Sequence, residues 1–404
     1  MKVGIVVDNE LNNDNRVLRE IQILKEQGYE IFVLCFGFGK TFKKPVNQIS
    51  ITRININRKL KDVLFFFLNT IPLYEWMWAS QIKKFIISNN IEVLHVHDLY
   101  MSRAAHYGIK KAGRYIALIL DLHENYPFTI TTYNWTKGFI RSRISKPEEW
   151  QKKEKVYLRY ATGLIVLSTD YRDLLIKRYP YLTEEIFAVL PNVPDISQPL
   201  KENIKAIENP FNQGFPILFY YGVIAERRGV FDTIDVFIHL VKDNYPVNLL
   251  LIGPVDKKDK PKFSDLLNME LLAGRVHYIP LIDSIELPSY LDIVDICIAP
   301  FHKNPQHESG VANKIYEYML GGKPLIVSNC QPQQNLIEKH KCGLVFENQT
   351  EFHDAIIKLA GDSDMRTSLG KNGYNAIVKE YNMEFEKENL VQLYKSISDK
   401  AKTR

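Results

Sequence analysis

Short apolar segments that alternate with helical segments constrain the fold of this chain more than any other feature of its sequence. In the first half, strands are predicted at 3–7, 31–36, 93–96, 116–120, 164–167 and 186–190, and helices near 14–27, 73–88 and 101–112. The second half repeats the alternation, with strands at 217–221, 247–253, 276–280, 294–300, 325–327 and 344–346. Apolar strands joined by helices are typical of parallel sheets covered on both faces. The predicted fold class is therefore α/β with two parallel sheets.

Chain length and one proline-containing connection predict two domains. The 404 residues exceed what a single hydrophobic core normally covers. Pro191 and Pro194 stand close together and precede the polar stretch 197–213, a composition typical of a linker. We therefore predict a first domain at 1–195, a linker at 196–214 and a second domain at 215–382.

The N-terminus and the longest apolar stretch both argue against insertion into a membrane. Met1 leads at once into an apolar strand instead of a signal peptide, so the expected location is cytoplasmic. The apolar stretch 63–79 is interrupted by Asn69, Pro72 and Glu75, and it is too short to span a bilayer of about 30 Å.

The same stretch is suited to lying on a membrane surface. Up to Asp195 the chain carries 28 basic and 20 acidic side chains, a net +8, whereas the remainder carries 24 and 27, a net −3. Six cations precede this stretch and five large aromatic residues lie within it: Lys43, Lys44, Arg53, Arg58, Lys59 and Lys61, then Phe65, Phe66, Phe67, Trp76 and Trp78. This combination suits an anionic membrane face. A core helix behind a solvated basic loop explains it as well, and no nucleic-acid recognition motif is present.

Polar residues at the ends of the first-half strands are candidates for binding, because ligands of parallel sheets collect at the carboxyl ends of their strands. Asn12, Asn13 and Arg16 follow the first strand, where a solvated turn before a capped helix is the alternative. Asp98 follows the third strand, in which His95 and His97 share a face. A metal site there would need a third ligand, and we expect none.

The stretch 308–328 combines a polar loop, a helix and a buried strand. The pattern predicts a helix from about Val311 to Leu320, with Ser309 as its cap. The free amides of Gly310, Val311 and Ala312 would then point out of the helix start, a usual place for a phosphate. Glu317 lies on the polar face of this helix, within reach of ribose hydroxyls. An amphipathic helix with a solvated Glu317 is the alternative.

This stretch resembles the donor-site motif of retaining GT-B glycosyltransferases of family 4, the group 1 type, in which two Glu residues separated by seven others precede Gly-Lys-Pro. The resemblance implies that Glu317 binds the ribose of a nucleotide-sugar. The position of the first Glu is held by Ser309, so Glu308, one place earlier, is the nearest carboxylate. Asn313 and Lys314 are further candidates for donor binding.

Two other segments carry the same resemblance. The turn 222–229 resembles the family's Gly…Lys-Gly turn, which implies that Arg228 grips the donor diphosphate. Val223 stands where many members have Arg, so Arg227 is the candidate for the missing charge. The run 121–124 resembles the family's Asp-x-His-Glu sequence, which implies that His123 lies beside the transferred sugar. The predicted catalytic residues are therefore His123, Arg228 and Glu308.

The resemblance implies two Rossmann-like domains of GT-B architecture that face each other across a cleft, with a last helix at about 383–404 that crosses back to the first domain. The implied activity is retaining transfer of a sugar from a nucleotide-diphosphate sugar to a glycan or lipid-linked acceptor, in surface polysaccharide assembly. The candidates on the acceptor side are Asn12, Asn13, Arg16 and Asp98. No cofactor and no metal are expected. The alternatives are a non-catalytic nucleotide-sugar-binding protein and a sugar-nucleotide epimerase or phosphorylase on the same fold.

Overall fold

The structure is a computed structural model that describes residues 1–12, 14–39, 49–67, 71–130, 146–194 and 206–402, apart from the side chains of 383, 384 and 400–402. The chain divides into two compact units. The first comprises Met1–Pro191 and Glu386–Arg404, and the second comprises Asn192–Phe385.

The first unit contains a parallel sheet of seven strands in the order β3-β2-β1-β4-β5-β6-β7. The strands are β1 Lys2–Val6, β2 Glu30–Gly37, β3 Ser50–Asn55, β4 Val93–His97, β5 Ala117–Asp121, β6 Gly163–Val166 and β7 Phe187–Val189. β1 is central and pairs with both neighbours, with Val3 opposite Ile31 on one side and Val93 on the other. β4 and β5 are buried along their whole length, as expected of strands covered on both faces.

Helices cover this sheet: α1 Asn15–Glu26, α2 Arg58–Phe66, α3 Leu73–Asn89, α4 Ser102–Ala112, α5 Tyr126–Thr129, α6 Pro147–Tyr157 and α7 Thr169–Arg178. The core side of α3 buries Tyr74, Trp78 and Ile82. Gly108 lets α4 approach closely, since a Cβ there would lie 2.6 Å from Ile82 Cγ2. By contrast, no residue of α2 is fully buried.

The last helix of the chain, α15 Met383–Lys402, packs on the first unit. Its Tyr394 hydroxyl lies 3.0 Å from Nδ1 of His95, and its Glu386 accepts a hydrogen bond from Arg19 at 3.0 Å. The Asn389 amide donates to the carbonyl of Val189. These contacts tie the C-terminal helix to α1, β4 and β7.

The second unit contains a parallel sheet of six strands in the order β10-β9-β8-β11-β12-β13. The strands are β8 Ile217–Tyr221, β9 Asn248–Ile252, β10 Val276–Ile279, β11 Ile296–Ala299, β12 Leu325–Ser328 and β13 Gly343–Phe346. The helices are α8 Val230–Lys242, α9 Lys260–Leu267, α10 Leu287–Ile293, α11 Asn313–Leu320, α12 Gln331–His340, α13 Gln349–Gly361 and α14 Ser363–Glu380. Two parallel sheets with covering helices confirm the predicted α/β fold class.

The segment expected to be a basic loop contains regular structure instead. β3 pairs along six residues with β2, from Ser50 opposite Phe32 to Asn55 opposite Gly37. Arg53 within β3 donates to the carbonyls of Glu10 and Phe36, so its charge is used inside the fold. Lys43 and Lys44 lie outside the described residues. Among the described helices, none is long and apolar enough to cross a membrane.

Candidate functional site

The turn after β8 depends on glycines. Gly222 has φ +133°, and Gly229 has φ +72° just before α8 begins. A Cβ on Gly229 would lie 1.7 Å from the carbonyl oxygen of Pro300, so that position admits only glycine without rearrangement. The short 3-10 helix Glu226–Arg228 lies between the two glycines and fixes where the Arg228 side chain starts.

Arg228 is held in a partly buried setting beside an aromatic ring. Its guanidinium carbon lies 5.6 Å from the ring centroid of Phe301, and its Nε has no hydrogen-bond partner among the described residues. Burial lowers the pKa of this guanidinium, and the nearby charge of Arg227 lowers it further. Arg227 itself is 39% exposed and lies 3.7 Å from Asp256.

Lys314, in the first turn of α11, brings a second cation to the same turn. The side chain is 7% exposed, and its Nζ lies 3.6 Å from the ring centroid of Tyr220 and 5.2 Å from that of Phe301. A Cβ on Gly222 would lie only 2.9 Å from this Nζ, so the lysine reaches into the space that glycine leaves.

The buried ammonium of Lys314 lacks a counter-ion in the part of the chain that the structure describes. Its Nζ has no hydrogen-bond partner there and forms none of the ion pairs found there. Burial holds the pKa of Lys314 well below its usual range, and Arg228 lowers it further, whereas Glu317 acts in the opposite direction. Such an arrangement is costly unless an anion completes it.

Glu317 lies on α11 three residues after Lys314. Burial raises the pKa of its carboxyl group, and the charge of Lys314 opposes that effect. Its charge also raises the pKa of Tyr221, at the end of β8, where burial is the larger cause. The carboxylate therefore lies close to the end of β8, where the turn that carries Arg228 begins. Its role in donor binding stays a prediction.

The start of α11 differs from the prediction. The helix begins at Asn313 with Ala312 at the cap position, so Gly310, Val311 and Ala312 do not form its first turn. Ser309 is not the cap, because it lies four residues before the first residue of the helix. Its hydroxyl donates to the carbonyl of Gln306 at 2.6 Å, in a preceding turn. The predicted phosphate-binding amides of residues 310–312 are therefore not those of a helix start.

Glu308 has a partner inside the second unit. Its Oε1 accepts a hydrogen bond from the backbone N–H of Gln331 at 3.0 Å, at the first residue of α12. A carboxylate at this position is stabilised by the positive end of the helix. A catalytic role for Glu308 stays a prediction, and one of its oxygens is already engaged.

In the first unit, the loop after β1 lines an open cavity of about 680 Å³. Its walls carry four acidic side chains, three amides, one cation and two apolar side chains: Asp8, Glu10, Asp14, Asp62, Asn9, Asn12, Asn15, Arg58, Leu11 and Phe38. We call this the acidic pocket. Asp8 accepts hydrogen bonds from the hydroxyls of Tyr74 and Tyr100, and burial raises its pKa to about 6. Asn12 lines the pocket, and its role in binding stays a prediction, whereas Asn13 lies outside the described residues.

Arg16 does not face this pocket, contrary to its prediction as an acceptor-side residue. Its Nε and Nη2 donate to the two oxygens of Asp121, at 2.9 and 3.0 Å, and its Nη1 donates to the carbonyl of Leu190 at 2.8 Å. The physical reason is the burial of Asp121, whose carboxylate needs a counter-ion at the sheet.

His123 and Asp98 lie together at the ends of β5 and β4. His123 Nε2 lies 3.2 Å from Asp121 Oδ2 and 2.8 Å from His97 Nδ1, and its Nδ1 lies 3.9 Å from Asp98 Oδ1. Burial alone lowers the pKa of His123, but Asp121 and Asp98 outweigh it and raise the pKa to about 9. The imidazole is therefore protonated at neutral pH.

Behind His123, four buried side chains meet that could offer ligands to a metal ion: Glu20, His95, His97 and Asp121. Glu20 is a possible third ligand beside the two histidines, and it was not predicted from the sequence. The signal was a carboxylate on the apolar face of α1, beside Val17, Ile21 and Leu24. Arg16 lies within 3.2 Å of both carboxylates and supplies positive charge there. We therefore interpret the cluster as an ion-pair network, and the expected absence of a metal stays a prediction.

Two family models match the chain, one for each half. The model described as Glycosyltransferase Family 4 matches residues 15–198, and the model described as Glycosyl transferases group 1 matches residues 201–376.

Two curated proteins are similar over part of the chain. Spore coat protein SA of Bacillus subtilis (strain 168) is 22% identical over 188 residues, which cover 45% of this chain and 49% of that protein. The capsular polysaccharide biosynthesis glycosyltransferase CapM of Staphylococcus aureus is 23% identical over 181 residues, which cover 44% of this chain and 45% of that protein. The chain thus spans about half the length of the curated relatives it matches.

A solved structure extends the likeness to the whole chain at the level of fold. Sucrose-phosphate synthase from Thermosynechococcus elongatus superposes with a TM-score of 0.71 at 15% identity, over 99% of each chain. This likeness agrees with two Rossmann-like sheets of the GT-B type. Because the family models account for both halves of the chain, the protein belongs to the GT-B glycosyltransferases of family 4, the group 1 type.

Proposed function

We propose that this protein transfers a sugar from a nucleotide-diphosphate sugar to a glycan or lipid-linked acceptor, with retention at the anomeric carbon. The observation that carries the proposal is the pair of cations, Lys314 and Arg228, beside the glycine turn after β8. Burying a charge costs several kcal/mol unless a partner compensates it. A donor diphosphate supplies that partner, and the glycines admit it close to the backbone.

The same pair suits the chemistry of the leaving group. When the bond between the anomeric carbon and the diphosphate breaks, negative charge develops on the diphosphate oxygens. Cations fixed beforehand in a poorly solvated site stabilise such charge by several kcal/mol. Lys314, which is buried and has no counter-ion among the described residues, is better placed for this than Arg227, which is more exposed and lies near Asp256. We assign the second donor-binding charge to Lys314.

The remaining donor contacts follow from the family resemblance. Glu317 is proposed to accept hydrogen bonds from the ribose hydroxyls, since a carboxylate is an acceptor on both oxygens. His123 is proposed to contact the transferred sugar. Retention follows if the acceptor hydroxyl attacks from the leaving-group face and the phosphate takes its proton, so a pair of catalytic carboxylates is not required.

The acidic pocket is the proposed place for the acceptor in the first unit. Asn12, Asn15 and Asp62 line it, and none of them has a side-chain partner within the described residues. Amides and carboxylates of this kind bond well to sugar hydroxyls. Four acidic groups against Arg58 disfavour a phosphate or uronate here, so we propose that a neutral or amino sugar of the acceptor occupies the pocket.

A donor panel tests the proposal. Thermal unfolding is measured with UDP, GDP, ADP and their common sugar conjugates, for the unmutated chain and for Glu317→Ala. We expect one nucleotide to stabilise the protein, since a ligand at 100 times its dissociation constant contributes about 2.7 kcal/mol. The shift should be lost in Glu317→Ala and kept in Glu347→Ala, which removes an exposed carboxylate directly after the edge strand β13. No shift with any nucleotide would contradict the proposal.

A non-catalytic binding protein is the second candidate. The observation in its favour is that Ser309 occupies the position of the family's first Glu, while Glu308 is bonded to the start of α12. Release of free nucleoside diphosphate from the bound donor separates the two. Donor binding without any release, in the presence of glycan and lipid-linked acceptors, would favour the second candidate.

We also propose contact with an anionic membrane through α2 and the start of α3. Leu60, Val63, Ile71 and Trp76 expose between 44% and 53% of their surface there, next to the exposed cations Arg58 and Lys59. Of the aromatic residues named from the sequence, Trp78 is buried and Phe65 packs on Tyr74 and Tyr100, so these two serve the core. An apolar face flanked by cations suits a lipid interface.

Vesicle sedimentation checks this surface. The protein should sediment with vesicles containing anionic lipid at low salt, and less so at high salt, because the ionic part is screened. Trp76→Ser should reduce the bound fraction several-fold. Leu281→Ser, which removes an even more exposed apolar side chain from the second unit (75% against 53% for Trp76), should leave it unchanged. Equal sedimentation of both variants and the unmutated chain would contradict the assignment.

A further inference from the structure

The groups around His123 form a layered arrangement of charge in the described part of the first unit. Asp121, at the end of β5, lies on the inner side of the ring, and His97 lies beside it on β4. Asp98, directly after β4, lies on the outer side. Arg16 and Glu20 reach the inner layer from α1, and His95 stacks on His97 with ring centroids 4.6 Å apart.

Asp121 is fixed more firmly than any other group in this arrangement. Its Oδ2 accepts from Arg16 at 2.9 Å and lies 3.2 Å from His123 Nε2 and 3.4 Å from His97 Nδ1. Its Oδ1 accepts from Arg16 at 3.0 Å. Although burial acts to raise the pKa of Asp121, Arg16 and His123 hold it well below its usual range. Asp121 is therefore a carboxylate whose position is set by a bidentate guanidinium.

The outer side of His123 is left open to a ligand. Its Nδ1 lies 3.9 Å from Asp98 Oδ1, which is longer than a hydrogen bond, and the side chain is 24% exposed. Asp98 has φ +73°, a left-handed backbone that residues other than glycine seldom adopt. Its backbone N–H donates to the carbonyl of Asp121 at 2.9 Å, which ties the strained residue to β5. Strain of this kind is concentrated at functional sites.

We infer that Asp121 is a positioning residue for the transfer reaction: fixed by Arg16, it holds Nε2 of His123 inward, so that Nδ1 on the outer side of the ring faces the substrate. The inference rests on the proposed function. The charged ring donates a hydrogen bond to a sugar or phosphate oxygen and does not accept the acceptor's proton at neutral pH. Its raised pKa agrees with that role.

The titration of His123 tests the inference without a known donor. Histidine side-chain NMR of the full-length protein follows each ring against pH, with His123 assigned by its loss in His123→Gln. We expect His123 to titrate near pH 9 in the unmutated chain. Asp98→Asn, a change at a partly exposed group, should lower the midpoint. Asp121→Asn should lower it more, by about 1 to 3 pH units, the usual effect of a neighbouring opposite charge.

His106 is the internal control in the same spectra. It stacks on Tyr160 with ring centroids 3.9 Å apart, on α4, and it contacts none of the groups named above. Its midpoint should stay constant in both variants, and a change would identify a variant that has lost its fold. If Asp121→Asn has lost its fold, the midpoint of His123 in Asp98→Asn still tests the inference. A midpoint for His123 at or below 6.5, or one that neither variant changes, would overturn the inference.

Two further outcomes separate this inference from the proposed function and from a metal site. If no nucleotide binds but His123 titrates near pH 9, the result counts against the proposed function and still supports the arrangement of Asp121 around His123. Normal donor binding with an ordinary His123 midpoint would overturn the inference alone. If stoichiometric Zn²⁺ shifts the His95 and His97 resonances together, the cluster is a metal site and not an ion-pair network. The carboxylates of Glu20 and Asp121 would then bind the ion instead of Arg16.

Discussion

Replacing Lys314 with methionine is expected to stabilise the nucleotide-free protein and to weaken nucleotide binding, two effects of opposite sign from one residue. The stabilisation should be about 1 to 3 kcal/mol, because a buried polar group without a partner is removed and a side chain of similar length remains. Binding should weaken roughly 10- to 100-fold, the effect of a lost hydrogen bond to a charged group of about 1.5 to 3 kcal/mol.

The stability effect should depend on pH in a defined direction. The pKa of Lys314 is depressed in the folded protein, so between the folded and unfolded values the unfolded chain binds one more proton. The free energy of unfolding of the unmutated chain therefore rises with pH, up to the unfolded lysine value of about 10.4. The advantage of Lys314→Met should shrink accordingly between pH 7 and pH 9.5, as measured by urea unfolding.

Lys358→Met is the matched control for this prediction. Lys358 lies exposed on α13 of the same unit, so its replacement should change stability by less than about 0.5 kcal/mol and leave binding intact. A Lys314→Met protein that is less stable than the unmutated chain at pH 7 would show that Lys314 already has a compensating partner.

Gly229→Ala is expected to give the largest loss of stability among single-atom changes at the turn. The added Cβ would meet the carbonyl oxygen of Pro300 at 1.7 Å, and φ is +72°. The left-handed backbone alone costs alanine about 1 kcal/mol, and the displacement of backbone atoms costs more. Because the turn carries Arg228 into α8, nucleotide binding should fall as well.

Gly113→Ala separates the two contributions. Gly113 has the same φ of +72°, but an added Cβ there meets nothing within 4 Å. We expect it to lose only the backbone part, about 1 kcal/mol, and to bind nucleotide normally. Equal unfolding midpoints for the two variants in urea would mean that the turn moves freely away from Pro300.

The periodicity of the sequence was sufficient to predict both sheets, because strands buried on both faces leave continuous apolar runs such as those in β5 and β9. It was insufficient for β3, where Arg53 interrupts the pattern. The arginine is tolerated because its charge is used by carbonyls that come from β2 and from the loop after β1, and such long-range partners leave no trace in local sequence.

The residues that we propose for the donor site, on the β8 turn and α11, could be named from sequence because they follow local motifs. Their partners could not. Arg16 was expected to face an acceptor, but Asp121, far along the chain, draws it into the sheet. Ser309 was expected to cap α11, but the helix begins only at Asn313, and the Ser309 hydroxyl donates to the carbonyl of Gln306. The burial of Lys314 could not be predicted from the sequence either, because Tyr220, Gly222 and Phe301, which surround its ammonium group, are distant in the chain or on another element.

The central claim is that Lys314 and Arg228 together receive a diphosphate. The most direct test compares the affinity of a nucleoside diphosphate with that of the monophosphate of the same base, by calorimetry, in the unmutated chain and in Lys314→Met. We predict that the diphosphate binds at least about tenfold more tightly to the unmutated chain, equivalent to about 1.4 kcal/mol, and that Lys314→Met loses most of this preference. Equal affinities for the two nucleotides, or a preference that survives the loss of Lys314, would contradict it.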